Sequence, residues 1–363
     1  MHTSEFGRFF LPGPTEVHPE VLAAMNRAMI PHRGQDMVEL LKRIEPPLQR
    51  LCRTERRVLV GTCSATGFME MAVRSGVRHR ALSLVGGAFG ERFAAIVGAT
   101  GRDAVRLQVP LGETVEPDML RDALRRTDAD AVTLVHSETS TGALAPLEEL
   151  AKVVHEFDDV LLLVDAVTSM GGLPVETDRW ALDFVLTGSQ KALALPPGLA
   201  VAVASERMLE RAKAIPERGA YLDVIAFDTA AGNYQPTNTP AISLLYALDT
   251  QLQRIEAEGG VEQRWQRHDA MRGVVERWAE GRGGELGFSY LPREGRRSWT
   301  VSCLKVPEGV NGRELVQAVK RKGWVIGTGY GELKPTTLRI GHMGDHRPEK
   351  VRELLGVVEE VAA

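Results

Sequence analysis

The alternation of short apolar runs with amphipathic stretches, between about residues 58 and 205, limits the possible folds of this chain more than any other feature. The stretches between the runs show helical spacing, as at Leu147, Leu150 and Val154. Continuously apolar strands that alternate with helices form parallel sheets covered on both faces. The pattern therefore predicts an α/β domain with a mainly parallel sheet flanked by helices. The apolar runs are residues 58–60, 81–85, 131–135, 160–164, 184–186 and 200–203.

The two ends of the chain differ from this central part. Pro12 and Pro14 exclude a helix at the N-terminus, and the first helix is predicted to follow them, with Leu22, Met25 and Met29 at helical spacing. From about residue 260 a helix leads into alternating strands and then into a closing helix, which predicts a smaller α+β domain. The predicted units are an extended segment 1–16, a large domain 17–255 and a small C-terminal domain 256–363.

The composition favours a small-molecule partner. The 363 residues are 44% hydrophobic and 25% charged with a net charge of −4, which is neither the basic excess of a nucleic-acid binder nor the polarity of a disordered chain. We find no basic N-terminal leader and no long uncharged apolar run, so we expect no membrane contact and a cytoplasmic location. Cys52, Cys63 and Cys303 show no CxxC spacing, which argues against both disulfides and a thiolate metal site.

Polar residues that directly follow the apolar runs are the first candidates for a functional site, because ligands gather at the carboxyl ends of parallel strands. Asp165 follows the run 160–164, and Lys191 follows the run 184–186. An acid close to a pyridine nitrogen and a lysine close to an aldehyde are what a pyridoxal 5′-phosphate (PLP) site needs. The sequence therefore predicts that these two side chains face one edge of the sheet.

Six motifs occur along the chain in a specific order. Together they make the chain resemble the class V aminotransferases of the PLP-dependent transferase type I fold, over almost its whole length, and within them the alanine–glyoxylate and serine–pyruvate aminotransferases. The resemblance implies PLP as cofactor and ping-pong transfer of an amino group from alanine or serine to glyoxylate or pyruvate. The motifs are Pro-Gly-Pro-Thr at 12–15, Gly-Ala-Phe-Gly-Glu-Arg at 87–92, His-Ser-Glu-Thr-Ser-Thr-Gly at 136–142, Asp-Ala-Val-Thr-Ser at 165–169, Gly-Ser-Gln-Lys at 188–191 and Leu-Arg-Ile-Gly at 338–341.

The resemblance also assigns roles around the cofactor ring. Lys191 corresponds to the lysine that forms the Schiff base and then moves a proton between the substrate and the cofactor, and Asp165 to the acid that keeps the pyridine nitrogen protonated. Phe89 takes the position of the aromatic ring that lies flat against the cofactor. The Thr139 hydroxyl corresponds to the one that approaches the ring oxygen.

The phosphate of the cofactor would lie at a helix start that begins with Ser64, Ala65 and Thr66, where backbone N–H groups attract anions. Relatives more often carry glycine where this chain has Ala65. Gln190 resembles a further phosphate ligand. The resemblance also implies a homodimer, in which Tyr234, Asn238 and Thr239 complete the site from the neighbouring subunit.

Substrate recognition is predicted at two arginines. Arg339 resembles the family arginine that binds the substrate α-carboxylate, since a guanidinium matches a carboxylate with two parallel hydrogen bonds. Arg33 follows His32 where relatives that act on phosphorylated substrates carry a His-Arg pair.

Several other activities stay open from the sequence. Phosphoserine or 2-aminoethylphosphonate aminotransfer is one alternative, although Gly34 replaces the serine usual in phosphoserine enzymes. A cysteine desulfurase or lyase of the same fold is another, but it needs a cysteine on a mobile loop, whereas Cys303 lies within a strand pattern. A cofactor-binding protein without enzymatic activity is the third. Intact Lys191, Asp165 and Arg339 argue against it.

Overall fold

The computed structural model describes residues 6–362 of the chain. Its strands are, in chain order, β1 (Phe9–Phe10), β2 (Val58–Gly61), β3 (Arg80–Val85), β4 (Asp103–Gln108), β5 (Ala131–Val135), β6 (Ser137–Glu138), β7 (Ala143–Leu144), β8 (Leu161–Asp165), β9 (Phe184–Gly188), β10 (Ala200–Ala204), β11 (Ser289–Tyr290), β12 (Val301–Lys305), β13 (Val325–Thr328) and β14 (Thr337–Gly341). Its α-helices are α1 (Pro19–Ala24), α2 (Gln35–Cys52), α3 (Ala65–Gly76), α4 (Ala88–Ala99), α5 (Pro117–Arg126), α6 (Leu147–Val154), α7 (Glu206–Lys213), α8 (Val224–Gly232), α9 (Ile242–Ala257), α10 (Val261–Glu280), α11 (Arg282–Glu285), α12 (Gly312–Arg321) and α13 (Pro348–Ala362).

A large, mainly parallel sheet confirms the predicted α/β fold. Its strand order is β2-β10-β9-β8-β5-β3-β4. Strands β3, β4, β5, β8 and β9 pair in parallel, whereas β10 runs antiparallel to both β9 and β2. Five of the six predicted apolar runs lie within one of these strands, and the run 160–164 begins one residue before β8. The edge strand β4 was not predicted, because its Asp-Ala-Val-Arg-Leu-Gln sequence is largely solvent-accessible and therefore lacks a continuous apolar run.

Helices cover both faces of this sheet, as the central strand β8 illustrates. Leu161 and Leu163 belong to one buried apolar cluster, and Leu162 and Val164 belong to another. Because successive side chains of a strand point to opposite faces, the two clusters are the two sides of one sheet. Helices α3, α4, α7 and α8 supply residues to the first cluster, and α2, α5, α6 and α9 supply residues to the second.

A second sheet near the C-terminus has the order β1-β13-β14-β12-β11. Its core contains Phe10, Trp278, Leu338 and Leu354. The strand β1 comes from the N-terminal segment and pairs in parallel with β13. Phe9 and Phe10 therefore belong to the sheet of the C-terminal part. The predicted domain boundaries at residues 16 and 255 stay predictions.

The N-terminal helices differ from the prediction. Helix α1 ends at Ala24, and Met29, which was predicted to continue its apolar spacing, is 64% exposed. The helix α2 was not predicted. It carries Pro46 and Pro47 in its interior, residues that ordinarily disrupt a helix, and packing of its buried face against the core compensates for the lost hydrogen bonds. Among residues 6–362, no helix is both long and apolar enough to cross a membrane.

Candidate active site

Two chemically active side chains lie at the carboxyl ends of neighbouring parallel strands. Asp165 is the last residue of β8, and Lys191 lies in the turn that follows β9. Asp165 pairs with Leu186 of β9 on one side and with Val135 of β5 on the other. The segment 136–142, which follows β5, therefore starts at the same sheet edge. This arrangement brings the predicted acid and amine together at the carboxyl edge of the large sheet.

The Lys191 side chain is buried against the N-terminal segment. It is 7% exposed, and its Nζ donates a 2.5 Å hydrogen bond to the carbonyl oxygen of Pro12. Gly13 has a φ of 121°, and a Cβ at this position would overlap the lysine side chain, so only glycine suits it. The Thr15 N–H donates to the carbonyl oxygen of Gln190 at 2.9 Å. The N-terminal segment therefore closes over the loop that carries the lysine.

Burial moves the pKa values of Lys191 and Asp165 towards neutral pH. Loss of hydration, together with the Arg339 guanidinium, lowers the pKa of Lys191 to about 8, against the opposing effect of Asp165. Burial raises the pKa of Asp165 to about 7, although the Val167 N–H donates a 2.8 Å hydrogen bond to its carboxylate and opposes the rise. Both groups can therefore change protonation state near neutral pH, which suits them to acid–base work.

Glu138 fixes the start of helix α4 and was missed as an individual site residue. Its Oε2 accepts hydrogen bonds of 3.1 Å from the backbone N–H groups of both Phe89 and Gly90, while Oε1 accepts from the N–H and hydroxyl of Ser140. Gly87 leaves room for this carboxylate, since a Cβ there would lie 2.5 Å from its Cγ. A carboxylate at a helix N-terminus is stabilised by the free N–H groups and the helix dipole. Glu138 thereby holds the helical turn that carries Phe89.

Arg339 connects the small sheet to the loop after β5. Its Nε donates to the Thr328 carbonyl oxygen at 2.9 Å, and its Nη1 donates to the Thr139 carbonyl oxygen at 3.0 Å. The guanidinium carbon lies 5.5 Å from the centre of the Tyr330 ring. The Thr139 hydroxyl lies 2.5 Å from that of Thr168. Burial lowers the pKa of Arg339, but a guanidinium stays charged at neutral pH.

The first turn of helix α3 lies beside the lysine loop. Ser64 is the N-cap residue, its side chain makes no capping hydrogen bond, and Ala65 and Thr66 begin the helix. A Cβ added at Gly188 would lie 3.1 Å from the Ala65 Cβ and 2.8 Å from the Gln190 Oε1. The absence of a side chain at Gly188 thus lets the Gln190 amide approach the helix start. Backbone N–H groups at such an end favour an anion.

These elements surround a cavity of about 380 Å³, which we call the lysine cavity. Four of the predicted site residues line it together, namely Phe89, Thr139, Lys191 and Arg339. The N-terminal segment, β13 and helix α12 supply most of the remaining lining. The full lining is Leu11, Pro12, Gly13, Phe89, Thr139, Lys191, Val316, Gln317, Lys320, Val325, Ile326, Gly327, Thr328, Tyr330 and Arg339.

Four other predicted residues lie elsewhere on this subunit. Arg33 is exposed on the turn before α2. The Tyr234 ring lies 5.2 Å from the Lys42 Nζ, and Asn238 and Thr239 are exposed and line a separate small pocket beside the end of β2. Because none of the four lines the lysine cavity, their predicted roles stay predictions.

Comparison with known proteins finds aminotransferases by family profile, by sequence and by structure. The profile of the family described as aminotransferase class-V matches residues 94–344. An aminotransferase of Methanocaldococcus jannaschii is 38% identical over 96% of this chain and 91% of its own length. The alanine–glyoxylate aminotransferase structure of a Nostoc species has a TM-score of 0.91 and 32% identity, covering 98% of this chain and 95% of that one. An aspartate aminotransferase of Thermus thermophilus has a TM-score of 0.89 and 32% identity, covering 98% of both chains.

The lowered pKa of Lys191 predicts a distinctive pH profile of chemical modification. We expect acylation of Lys191 by a small reagent to be half-maximal near pH 8, because only the neutral amine attacks. A blocked free lysine should reach its midpoint near its ordinary value of about 10.4. Mass spectrometry of the Lys191 peptide measures the profile, after hydroxylamine treatment and dialysis have freed the amine of any covalently bound aldehyde.

The variant Arg339→Gln serves as the control for the electrostatic cause. It removes a positive charge that disfavours protonation of Lys191, so the midpoint should move to higher pH. A Lys191 midpoint equal to that of the free lysine would contradict this account of the site.

Proposed function

Because the chain belongs to the class-V aminotransferase family, whose cofactor is PLP, we propose that it transfers the amino group of a small amino acid, alanine or serine, to glyoxylate or pyruvate. The observation that carries the proposal is the buried amine of Lys191, which shares one cavity with the Arg339 guanidinium. The name of the Nostoc relative supports this choice of substrates.

The residues of the site fit the cofactor in three respects. The Lys191 amine is buried at the cavity wall, and its pKa is lowered to about 8, so it loses its proton much more readily than an ordinary lysine. Asp165 is 4% exposed, and no cation of the described chain forms an ion pair with its carboxylate, so it is suited to a protonated ring nitrogen. The start of α3 with Gln190 offers donors for a phosphate. We propose Ser64, Ala65, Thr66 and Gln190 for that role.

Lys191 is the proposed catalytic base and acid. PLP, when bound, supplies an electron sink that stabilises negative charge at the substrate Cα. Lys191 would hold the cofactor covalently through its amine until the substrate displaces it, and the free amine would then take the proton from the substrate Cα and pass it to the cofactor. Its lowered pKa makes far more of this amine neutral, and able to accept that proton, than in an ordinary lysine.

The other residues hold the reacting groups in position. Asp165 would stabilise the positive ring nitrogen, Phe89 would pack against the ring, and the Thr139 hydroxyl would bind the ring oxygen. Arg339 binds the α-carboxylate through the donors that Thr328 and Thr139 leave free. Burial of this site limits the access of water, which strengthens each of these electrostatic contacts.

A second copy of the chain is part of the proposal. Helix α2, strand β2 and the loop 234–240 line a mainly apolar groove that includes Leu41, Leu48, Phe227 and Pro236. An apolar groove that opens at the surface favours association, although Leu48 and Phe227 at its base are buried. In a twofold homodimer the loop of one subunit would approach the other subunit's site, and we propose that Tyr234, Asn238 and Thr239 bind the cofactor phosphate from there.

The structure weighs against a desulfurase and gives no support to Arg33 as a ligand of a phosphorylated substrate. Cys303 is fully buried in β12, and burial raises the pKa of its thiol to about 11, so it is a poor nucleophile for sulfur transfer. Arg33, the residue that pointed to phosphorylated substrates, lies outside the lysine cavity of its own subunit. The free cysteines suit a reducing compartment, and the cytoplasm is therefore our proposed location.

The proposed activity is tested by the two half-reactions. L-alanine or L-serine should convert the visible absorbance of the PLP-loaded protein to that of the aminated cofactor, and glyoxylate or pyruvate should restore it. Lys191→Ala should slow this conversion by at least about 100-fold, because proton transfer by a positioned group contributes that much. Reaction with cysteine alone, with release of sulfide, would favour a desulfurase instead.

Arg339→Lys tests the carboxylate site. The substitution keeps the charge but removes the planar pair of donors, so kcat/KM for the amino donor should fall about 10- to 100-fold. The affinity for PLP, measured by titration of the apoprotein, should change far less. Equal losses of donor recognition and cofactor affinity would mean that Arg339 acts through the fold and not through the substrate.

Mixed dimers test the contribution of the second subunit. Lys191→Ala homodimers and Asn238→Ala/Thr239→Ala homodimers should each be impaired. Heterodimers of the two contain one site with an intact lysine and an intact loop, so an equal mixture should regain about a quarter of wild-type activity by the symmetry of the dimer. If Asn238 and Thr239 serve their own subunit's site, co-expression with two affinity tags will show no recovery.

A further inference from the structure

The charges that line the lysine cavity are unbalanced. The lining includes Lys191, Lys320 and Arg339, and among the described residues that form it there is no carboxylate. Lys191 is assigned to the cofactor and Arg339 to the substrate α-carboxylate. Lys320 is therefore a cation of the cavity to which the proposed reaction assigns no anionic partner.

Helix α12 presents Lys320 to the cavity together with neighbouring residues. Val316 and Gln317 of the same helix also line it, and Gln317 and Lys320 are three residues apart, so they share one helix face. Lys320 and Gln317 are exposed, whereas Val316 is buried. The polar groups that line the cavity are therefore buried at its base, at Lys191, and exposed to solvent at its mouth, at Gln317 and Lys320.

The side chain of Lys320 is also free of competing partners. No ion pair or side-chain hydrogen bond within residues 6–362 includes its Nζ. The nearby lysines Lys322 and Lys350 differ, because each pairs with a glutamate, Glu360 and Glu353 respectively. A cation at a cavity mouth with no acid in the lining attracts anions and concentrates them there.

From these observations we propose that Lys320, assisted by the Gln317 amide, binds a second anionic group at the distal end of one substrate. This inference rests on the proposed aminotransfer and widens its substrate range, because alanine, serine, glyoxylate and pyruvate carry no distal anion. An aminotransferase accepts two substrates in turn at one site, and this site also accepts a substrate with a distal carboxylate or phosphate, such as aspartate, glutamate or O-phosphoserine. The small partner, such as glyoxylate, leaves Lys320 to solvent.

The test compares donors of nearly equal shape that differ in distal charge. The pairs are aspartate with asparagine and glutamate with glutamine, while alanine and O-phosphoserine serve as the small and the phosphorylated donor. Single-turnover conversion of the PLP-loaded protein gives kcat/KM for each. The aspartate or glutamate arm and the phosphoserine arm together tell a carboxylate from a phosphate ligand.

We expect Lys320→Gln to lower the ratio of kcat/KM for the acidic donor to that for its amide by about three- to fivefold, the size of a partly solvated ion pair. Lys320→Glu should lower it further, since like charges repel. The wild-type ratio should also fall with added salt, because salt screens exposed charges. Arg321→Gln is the matched control, since Arg321 is an exposed cation on the same helix that does not line the cavity.

The outcomes separate this inference from the proposed function. If alanine reacts but no acidic donor does, or if the Lys320 variants reduce all donors equally, the distal-anion site is wrong while aminotransfer stands. An equal change of the ratio in Arg321→Gln would also overturn it, because the effect would then come from the general field of the helix. If no donor reacts, the proposed function itself fails.

Discussion

The hydrogen bond from the Lys191 amine to the Pro12 carbonyl oxygen connects the two sheets of this protein. Pro12 follows β1, which belongs to the small sheet, whereas Lys191 follows β9 of the large sheet. The segment can approach this closely only because small residues leave room for it. A Cβ at Gly327 or Gly341 would contact Pro12. The position of the reactive amine therefore depends on the docking of the N-terminal segment between both sheets.

A second connection between the sheets brings Arg339 to the same place. Arg339 is part of β14, yet its guanidinium donates to the Thr139 carbonyl oxygen in the loop after β5. The two connections make the lysine cavity a feature of the interface between the sheets, which is a common location for ligand sites. They also explain the low pKa of Lys191, because the small sheet both excludes water from the amine and holds a guanidinium near it.

Much of this arrangement follows from the sequence, and the reasons are local. The apolar runs are continuous because both faces of the sheet are buried, so six strands of the large sheet and the residues at their ends could be predicted. Edge strand β4 and helix α2 could not be. The residues of β4 are accessible, and Pro46 and Pro47 within α2 contradict local helix propensity, which tertiary packing overrides. Glu138 was hidden for another reason, because its partners are backbone N–H groups of α4 that no side-chain pattern reveals.

The position of Lys320 at the mouth of the cavity could not be predicted from the sequence. By its period, helix α12 buries Leu315, Val316 and Val319 and leaves Lys320 on the polar side, where a lysine in the last turn also interacts favourably with the helix dipole. The sequence of α12 alone therefore predicts an ordinary exposed lysine at position 320. Lys320 becomes a cavity residue only because α12, which packs against β13 and β14, lines the same cavity as Lys191, a residue more than 100 positions earlier in the chain. The position of the buried Lys191 amine can be predicted from the ends of the strands, whereas the position of Lys320 in the cavity depends on how the small sheet is placed above them.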